Sequence, residues 1–342
     1  KASLEAPHTI HEIPQTVTRQ NTMIRCKIMF RQTHKHLSVQ PSKEEFMARH
    51  LALKAYGKIN LGLDVLKRRE DGYHEVRMIM QTVGIFDRLD LEPKPEPGIS
   101  VECNLYYLPT NENNLVYRAA KLLMDEFDIK EGLSIRLKKF IPVAAGMAGG
   151  SSDAAAVLFG VNRIFRLGLS MEELMERGVK IGADVPYCLM RGTALSEGIG
   201  EILTPLPPVP QCPVLIAKPS INVSTKFVYE NLHLNQLSPA DHPNIDGILT
   251  AIRDGQISGI AENLGNILET VTIKEYPIIQ EIKDTMLRHG AIGSLMSGSG
   301  PTVFGLFPDQ ETATTAYEHM RFGESSNLAK QVYLTNFYNL NQ

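Results

Sequence analysis

The chain contains no tryptophan and only four cysteines among its 342 residues. Cys26, Cys103, Cys188 and Cys212 are widely spaced and form no CxxC pair, which argues against a disulfide framework or a structural zinc site. A reducing, cytoplasmic location is therefore the default expectation. We expect Cys188 to be a buried structural thiol rather than a reactive group.

The sequence also lacks a long apolar run and an excess of positive charge. No stretch of 18 consecutive apolar residues occurs, so a membrane is not an expected partner. The formal net charge is −3 and no lysine- or arginine-rich block stands out, so nucleic acid is not expected either. The chain has 43% hydrophobic and 21% charged residues, which is typical of a globular protein long enough for two domains.

Residues 1–46 differ from the rest of the chain. They carry seven lysines and arginines, four acids and little apolar periodicity, and Met47 directly precedes a strand-like segment. We interpret them as an extension or added leader that is poorly ordered. An organelle transit peptide is the alternative, which four acids and only three serines disfavour.

The remaining pattern mixes strands and helices without strict βαβ alternation, which favours an α+β fold over a doubly wound α/β fold. A proline-dense stretch at 205–210 predicts a boundary between domains at 47–205 and 206–342. Ser170 and Glu173 predict a capping box at the start of a helix. The pattern predicts strands at 51–66, 133–141, within 191–206, 213–217, 292–296, 302–307 and 331–337, a strand pair within 75–92 after a charged turn at 67–74, and helices at 114–127, 152–165, 171–178, 225–232, 244–252, 257–269 and 275–289.

The stretch 146–156, GMAGGSSDAAA, allows two interpretations. A glycine-rich connector before an alanine-rich helix is common, and serine or aspartate often caps such a helix. Alternatively, the glycines let backbone amides form a concave anion site at the positive end of the helix. The stretch is not a Walker A loop or a GxGxxG motif, and no protein-kinase HRD or DFG motif is present, so a nucleotide site here belongs to another family.

Five segments, taken together, resemble the GHMP kinases. The first, 142–153, reads PVAAGMAGGSSD and is similar to their phosphate loop, although Ala144, Ala145, Met147 and Ala148 stand where glycine and leucine are common. The others read KAYGKINL at 54–61, REDGYHE at 69–75, GADVPY at 182–187 and MSGSGPT at 296–302. The resemblance extends from about Met47 to near the C-terminus.

This resemblance implies a two-domain GHMP kinase fold, with a ribosomal protein S5 domain 2-like, ATP-binding N-terminal domain and a ferredoxin-like C-terminal domain. It implies transfer of the γ-phosphoryl group of ATP, with Mg²⁺, to a small-molecule alcohol. The segments at 69–75 and 182–187 resemble the branch that phosphorylates the 2-hydroxyl of a cytidine-diphospho sugar alcohol in non-mevalonate isoprenoid biosynthesis. A monomer or weak homodimer is expected.

The resemblance makes Asp184 the candidate base and Lys58 the cation that holds Asp184 and the acceptor hydroxyl. Taken alone, Asp184 can equally cap the helix that begins with Val185-Pro186, and Lys58 can be a solvated strand lysine.

The resemblance also assigns the nucleotide contacts, but it assigns no direct Mg²⁺ ligand. Lys139 and Asn114 have structural alternatives, as a surface lysine and a helix cap. Asp153 can favour the helix dipole or lie near a phosphate-bound metal. The expected ATP-binding residues are Asn114, Lys139, Pro142, Val143, Ala144, Ala145, Gly146, Met147, Ala148, Gly149, Gly150, Ser151 and Ser152.

For the acceptor, the resemblance implies that Tyr73 and Tyr229 stack on the cytosine and that His74 contacts its edge. Asn60 would hold the sugar-alcohol hydroxyls and Thr225 would flank the diphosphate. Without the resemblance, Tyr73 and His74 can be structural residues of a hairpin turn, and Tyr229 can be a core aromatic residue. Phe227 is the alternative candidate for the stacking position assigned to Tyr229. The glycine turn at 298–300 predicts a close backbone approach to the cleft.

Two other functions are compatible with parts of this pattern. One is a different GHMP kinase, such as a homoserine kinase, which has no use for the Asp-Gly-Tyr-His turn at 71–74. The other is a non-enzymatic RNA-binding protein, which the net charge and the presence of both Lys58 and Asp184 disfavour.

Overall fold

The computed structural model describes residues 49–339, and the extension predicted at 1–46 lies outside them. The strands are β1 Leu51–Arg68, β2 His74–Lys94, β3 Ile99–Cys103, β4 Gly132–Lys138, β5 Thr193–Glu197, β6 Ile202–Pro205, β7 Pro213–Lys218, β8 Gly265–Asn266, β9 Gly293–Met296, β10 Val303–Leu306 and β11 Gln331–Asn336. The helices are α1 Leu115–Glu126, α2 Gly149–Ile164, α3 Met171–Val179, α4 Val185–Met190, α5 Thr225–Glu230, α6 Ile245–Arg253, α7 Ile257–Glu262, α8 Glu269–Glu275, α9 Ile278–Arg288 and α10 Gln310–Phe322, with 3₁₀ turns at Leu234–Gln236 and Pro239–Asp241.

The longest strands, β1 and β2, form an antiparallel hairpin at the centre of a seven-stranded sheet. Its order is β3-β4-β2-β1-β8, and β5 joins the sheet on β2 and carries β6. The charged turn predicted between the strands is confirmed, since Asp71 accepts a hydrogen bond from the Tyr73 amide at 3.0 Å and Gly72 has a φ of 88°. The hairpin places Tyr73 and His74 at the tip of the sheet.

The strand pair predicted within 75–92 is wrong, because β2 is one continuous strand. Its first part pairs with β5 at Met78–Gln81 and its later part pairs with β4 from Arg88 to Lys94. The change in side-chain pattern along the segment therefore reflects a change of partner strand and not a turn. One long strand can thereby contribute both to the hairpin tip and to the sheet beneath the phosphate loop.

Helices α1 and α2 pack together, and α2 lies against β1 and β2. The predicted helix at 114–127 is confirmed as α1, and the predicted capping box of Ser170 and Glu173 is confirmed at the start of α3. Helix α2 starts at Gly149 rather than at the predicted Ser152. Its buried alanines, Ala154–Ala156, allow a close approach to the sheet.

A second, four-stranded antiparallel sheet has the order β11-β7-β10-β9, and α9 and α10 pack on it. Its strands confirm the predictions at 213–217, 292–296, 302–307 and 331–337. The helix predicted at 257–269 ends earlier, at Glu262, because the chain then pairs as β8 in parallel with β1 before α8 begins. The mixed architecture confirms the α+β class, whereas the domain boundary at 205–206 stays a prediction. Within 49–339, no helix combines the length and the apolar character needed to span a bilayer.

Candidate active site

A cavity of about 1350 Å³ brings together the sequence segments predicted to carry function. Lys58 on β1 and Asp184 before α4 line it, together with the tip of the β1–β2 hairpin. The phosphate loop, residues 142–150, forms a further part of the wall. Residues of α5 and of the glycine turn at 298–300 complete it.

The phosphate loop has an unusual backbone, in which residues in the left-handed region alternate along the chain. Ala144, Gly146 and Ala148 have φ angles of 50°, 71° and 54°. Ala148 is the N-cap of α2, and no side chain caps this helix end. The first amides of α2 therefore have no intrahelical partner, and Gly149 and Gly150 line the cavity, as an anion site requires. The alternative interpretation, in which a serine or aspartate side chain of this stretch caps the helix, is wrong.

Most of the predicted ATP-binding residues of the loop line the cavity, but two side chains do not. The side chain of Met147 is buried in the core, and its Cε would lie 3.4 Å from a Cβ added at Gly57. The hydroxyl of Ser152 donates to the Tyr56 carbonyl at 2.6 Å, which fastens α2 to β1. The cavity is lined by Pro142, Val143, Ala144, Ala145, Gly146, Ala148, Gly149, Gly150 and Ser151.

The glycine turn at 298–300 packs directly on the phosphate loop, which confirms the predicted close approach. The Ser297 hydroxyl donates to the Gly146 carbonyl at 2.9 Å. A Cβ placed on Gly146 would lie 2.0 Å from the Ser297 carbonyl oxygen, and one on Gly298 would lie 3.2 Å from the Gly146 carbonyl oxygen. Only glycine fits at Gly146, because both its φ angle and this contact exclude a side chain.

Lys139 is buried behind the loop and forms ion pairs with two acids, so its interpretation as a surface lysine is wrong. Its ammonium pairs with Asp87 on β2 and, at 2.6 Å, with Asp153 on α2. Asp87 also accepts hydrogen bonds from the amides of Phe140 and Ile141, at 2.5 and 2.8 Å. Asp87 is not among the predicted site residues, although it shares a strand face with the buried Leu89 and Leu91, where an acid is conspicuous.

Asp153 is the group most perturbed by this arrangement. Burial and the nearby Asp87 carboxylate raise its pKa well above the ordinary value, although Lys139 opposes the shift. Its Oδ1 has no hydrogen-bond partner among the described residues, and Asp153 lines the cavity. An unpaired carboxylate oxygen next to a phosphate site is suited to Mg²⁺, which takes one or two carboxylates together with the substrate phosphates.

Lys58 and Asp184 line the same cavity. The predicted pairing of Lys58 with Asp184 is absent from the described part of the chain, where the Lys58 ammonium is bound by Asn60 instead. The buried Lys58 ammonium donates to Asn60 Oδ1 at 2.7 Å, so Lys58 is not a solvated lysine. Asp184 occupies the N-cap position of α4, but its side chain makes no capping bond. Its half-buried carboxylate is therefore available to a ligand in the cavity.

Asn60 is placed behind Lys58. Its side chain is fully buried, and its Oδ1 accepts a hydrogen bond from the Lys58 ammonium. Its Nδ2 lies 3.5 Å from Met78 Sδ, and Asn60 does not line the cavity. The structure thus gives Asn60 a role in holding Lys58, and its predicted contact with the acceptor stays a prediction. Asn114 caps α1 by accepting from the Val116 amide at 3.0 Å, and it also lines the cavity.

Aromatic side chains line another part of the cavity wall. The rings of His74 and Tyr229 lie 5.0 Å apart, whereas Tyr73 is 60% exposed at the hairpin tip. Burial, followed by the positive charge of Arg68, lowers the pKa of His74, while burial raises the pKa of Tyr229. Phe227 is exposed and does not line the cavity, which favours Tyr229 over its rival.

Thr225 connects α5 to the glycine turn. Its Oγ1 lies 2.8 Å from the Ser299 hydroxyl, and both residues line the cavity. The polar wall here continues from the phosphate loop through Ser299 to Thr225. This arrangement is compatible with the predicted diphosphate contact of Thr225, which stays a prediction.

The fold and the phosphate loop together define a small-molecule kinase of the GHMP type. The family description "GHMP kinases N terminal domain" matches residues 114–192, and "GHMP kinases C terminal" matches residues 248–324. The chain is 56% identical over 288 residues to the 4-diphosphocytidyl-2-C-methyl-D-erythritol kinase of Lachnoclostridium phytofermentans, covering 84% of this chain and 97% of the relative. It is 49% identical over 291 residues to the enzyme of the same name from Clostridium perfringens, covering 85% and 99%.

A crystal structure of 4-(cytidine 5'-diphospho)-2C-methyl-D-erythritol kinase superposes with a TM-score of 0.71 at 32% identity, covering 85% of this chain and 100% of that chain. The homoserine kinase of Cytophaga hutchinsonii has a TM-score of 0.69 at 21% identity, covering 84% and 94%, and shares the fold. The chain belongs to the 4-diphosphocytidyl-2-C-methyl-D-erythritol kinase family of the GHMP kinases.

Proposed function

We propose that the chain transfers the γ-phosphoryl group of ATP to the 2-hydroxyl of 4-diphosphocytidyl-2-C-methyl-D-erythritol, in non-mevalonate isoprenoid precursor biosynthesis. One observation carries the proposal. A single cavity is lined by a phosphate loop, by the Asp184 carboxylate, which makes no capping bond, and by an aromatic wall suited to a base. These are the three parts that a kinase acting on a cytidine-diphospho alcohol needs.

The two charged residues have complementary roles in the reaction. Asp184 accepts the proton of the acceptor hydroxyl as that oxygen attacks the γ-phosphorus of ATP. Lys58, held from behind by Asn60, places its positive charge near the attacking oxygen and the transferred group. The β–γ bridging bond breaks, and ADP leaves with the electron pair.

The backbone amides at the start of α2 bind the nucleotide phosphates, and the helix dipole adds to this attraction. Mg²⁺ supplies charge neutralisation on those phosphates when it is bound. The free Oδ1 of Asp153 and the hydroxyl of Ser151 are oxygen donors on the same wall, and they fit such an ion.

The acceptor is recognised through its base and its diphosphate. Tyr73 and Tyr229 offer aromatic faces to the cytosine, while neutral His74 offers one donor and one acceptor nitrogen to the base edge. Thr225 and Ser299 offer hydroxyls to the diphosphate. The proposal further includes a cytoplasmic enzyme that is a monomer or weak homodimer of the 38.0 kDa chain, which sedimentation tests directly.

Measurement of ADP release with a panel of alcohols tests the proposal. The panel contains 4-diphosphocytidyl-2-C-methyl-D-erythritol, homoserine, mevalonate and galactose, each with ATP and Mg²⁺. We expect turnover with the first compound at a kcat/KM at least about 100-fold above the others, because only this compound has a base for the aromatic wall. Turnover with homoserine and none with the cytidyl compound would overturn the proposal.

A further inference from the structure

Asp87, Lys139 and Asp153 form a buried cluster next to the phosphate loop. Lys139 and Asp153 line the cavity, whereas Asp87 does not line it and has no assigned role. The exposed fractions of the three residues, in chain order, are 0%, 8% and 1%. The cluster has a formal charge of −1 with both acids ionised and of 0 with Asp153 protonated, so in neither state is it positive beside a site that receives a polyanion. Electrostatic attraction of phosphate therefore does not explain why two acids are placed there.

The cluster contacts the chain on both sides of the phosphate loop. On the upstream side, Asp87 accepts hydrogen bonds from the amides of Phe140 and Ile141, at 2.5 and 2.8 Å. Lys139 then joins Asp87 to Asp153 on α2, downstream of the loop.

The downstream side of the loop is also packed closely on the cluster. A Cβ added at Gly149 would lie 3.2 Å from Lys139 Nζ and 3.0 Å from Ile141 Cγ2. Gly149, the first residue of α2, thus packs against the Lys139 ammonium, which forms an ion pair with Asp87. A displacement of Lys139 would be transmitted to the amides that face the nucleotide.

We propose that Asp87 is a positioning residue for the nucleotide, which fixes both ends of the phosphate loop through Lys139 and Asp153. This inference rests on the proposed function, since it takes the loop as the ATP site. Asp87 touches no reacting atom, and its effect is on the position of amides that bind ATP in the ground state and the transition state alike. Loss of such uniform binding raises KM and leaves kcat unchanged.

The test is Asp87→Asn, with Asp64→Asn as the matched control. Asparagine keeps an oxygen for the amides of Phe140 and Ile141, but its amide nitrogen is a donor that cannot pair with Lys139. Asp64 is also a buried acid, 8% exposed, which accepts from the Val65 amide at 2.9 Å and lies 2.8 Å from His242 Nδ1. It does not line the cavity.

The readouts are kcat, the KM for ATP and the KM for the cytidyl acceptor. We expect Asp87→Asn to raise the KM for ATP about tenfold or more, because it removes one charge-assisted hydrogen bond. We expect kcat to stay within about threefold, and the KM for the acceptor within about twofold, of the wild-type values. Asp64→Asn leaves all three within about twofold. A lower or unchanged KM for ATP in Asp87→Asn overturns the inference, since removal of a negative charge alone would favour ATP binding.

A merely structural role for Asp87 predicts a different result, namely a lower melting temperature and a smaller active fraction with no change in the KM for ATP. Hydrogen exchange of the wild-type chain covers the case in which Asp87→Asn does not fold. We expect the Phe140 and Ile141 amides to exchange as slowly as those of the β2–β4 ladder, and exchange as fast as that of the hairpin tip overturns the inference. Absence of ATP turnover in the wild-type chain would instead contradict the proposed function.

Discussion

The two ends of the cavity are built in different ways. At the phosphate end, the loop is held by buried ion pairs through Lys139 and by backbone packing of Gly146 on Ser297. At the acceptor end, Tyr73 is exposed on a hairpin tip, and a Cβ added at Gly72 meets nothing within 4 Å. Buried contacts fix the shape of the first end, whereas the second end has room to adapt.

This difference matches what each end would bind under the proposed function. A phosphate site depends on the directions of several backbone amides, and these directions are fixed only if the backbone is immobilised. A stacked base needs an aromatic face and tolerates small shifts of the ring. Substitutions at the phosphate end should therefore affect stability and the nucleotide, and substitutions at the acceptor end should affect mainly the acceptor.

We expect the largest effect from a change at Asp184, the proposed base, because it acts where the acceptor hydroxyl meets the γ-phosphate. Asp184→Asn should lower kcat by about 10²- to 10⁴-fold, because the amide cannot take the proton of the acceptor hydroxyl. The Kd for ATP, measured by calorimetry, should stay within about twofold, because Asp184 makes no contact that holds the loop. A kcat near the wild-type value would show that Asp184 is not the base.

The next effect compares one glycine from each end. Gly146→Ala should lower the free energy of unfolding by about 3 kcal/mol or more, since it combines a φ of 71° with a contact of 2.0 Å to the Ser297 carbonyl oxygen. Gly72→Ala, with a φ of 88° and open surroundings, should cost about 1 kcal/mol. Urea denaturation of both variants checks this contrast, and equal losses would remove the distinction between the two ends.

A smaller effect is expected at the aromatic wall. Tyr229→Leu should raise the KM for the cytidyl acceptor about tenfold, which corresponds to the loss of one stacked ring, and should leave the KM for ATP unchanged. Phe227→Leu is the control, because Phe227 is on the same helix but does not line the cavity. The assignment of Tyr229 fails if both variants behave alike in steady-state kinetics.

The smallest effect is a pH dependence confined to the acceptor end. The pKa of His74 is lowered by burial and by Arg68, so the neutral form is favoured in the folded protein. Its contribution to stability is therefore present above the ordinary histidine pKa of about 6.5 and is lost as the pH falls through the lowered value. As the pH falls from about 6.5 through the lowered pKa of His74, the KM for the acceptor should rise a few-fold, and His74→Gln should remove this rise. The KM for ATP should not show this dependence on pH.

The sequence allowed the prediction of the features that depend on neighbouring residues. The hairpin tip at Asp71-Gly72 and the capping box of Ser170 and Glu173 have local patterns, and both are confirmed. The start of α2 at Gly149 was missed, because serine and aspartate are ordinary caps, whereas here Ala148 takes that position without a capping side chain.

The features that depend on contacts between distant segments could not be predicted. Asp87 is 52 residues from Lys139, and only the pairing of β2 with β4 brings them together. The continuity of β2 depends on two different partner strands, which no local pattern reveals. The position of Asn60 behind Lys58 depends on where the cavity lies relative to β1, and that location is set by segments distant in the sequence.

Phosphorus NMR of the reaction product shows whether the chain phosphorylates the 2-hydroxyl of the cytidyl acceptor. The full chain is incubated with ATP, Mg²⁺ and 4-diphosphocytidyl-2-C-methyl-D-erythritol. Carbon 2 of this acceptor carries a methyl group and no hydrogen, so an ester at its hydroxyl gives a new phosphomonoester resonance without three-bond coupling to a proton. We expect this uncoupled resonance in a one-to-one ratio with ADP, with the acceptor diphosphate intact. A proton-coupled ester, or ADP formed without any new ester, would show that the chain does not phosphorylate the 2-hydroxyl.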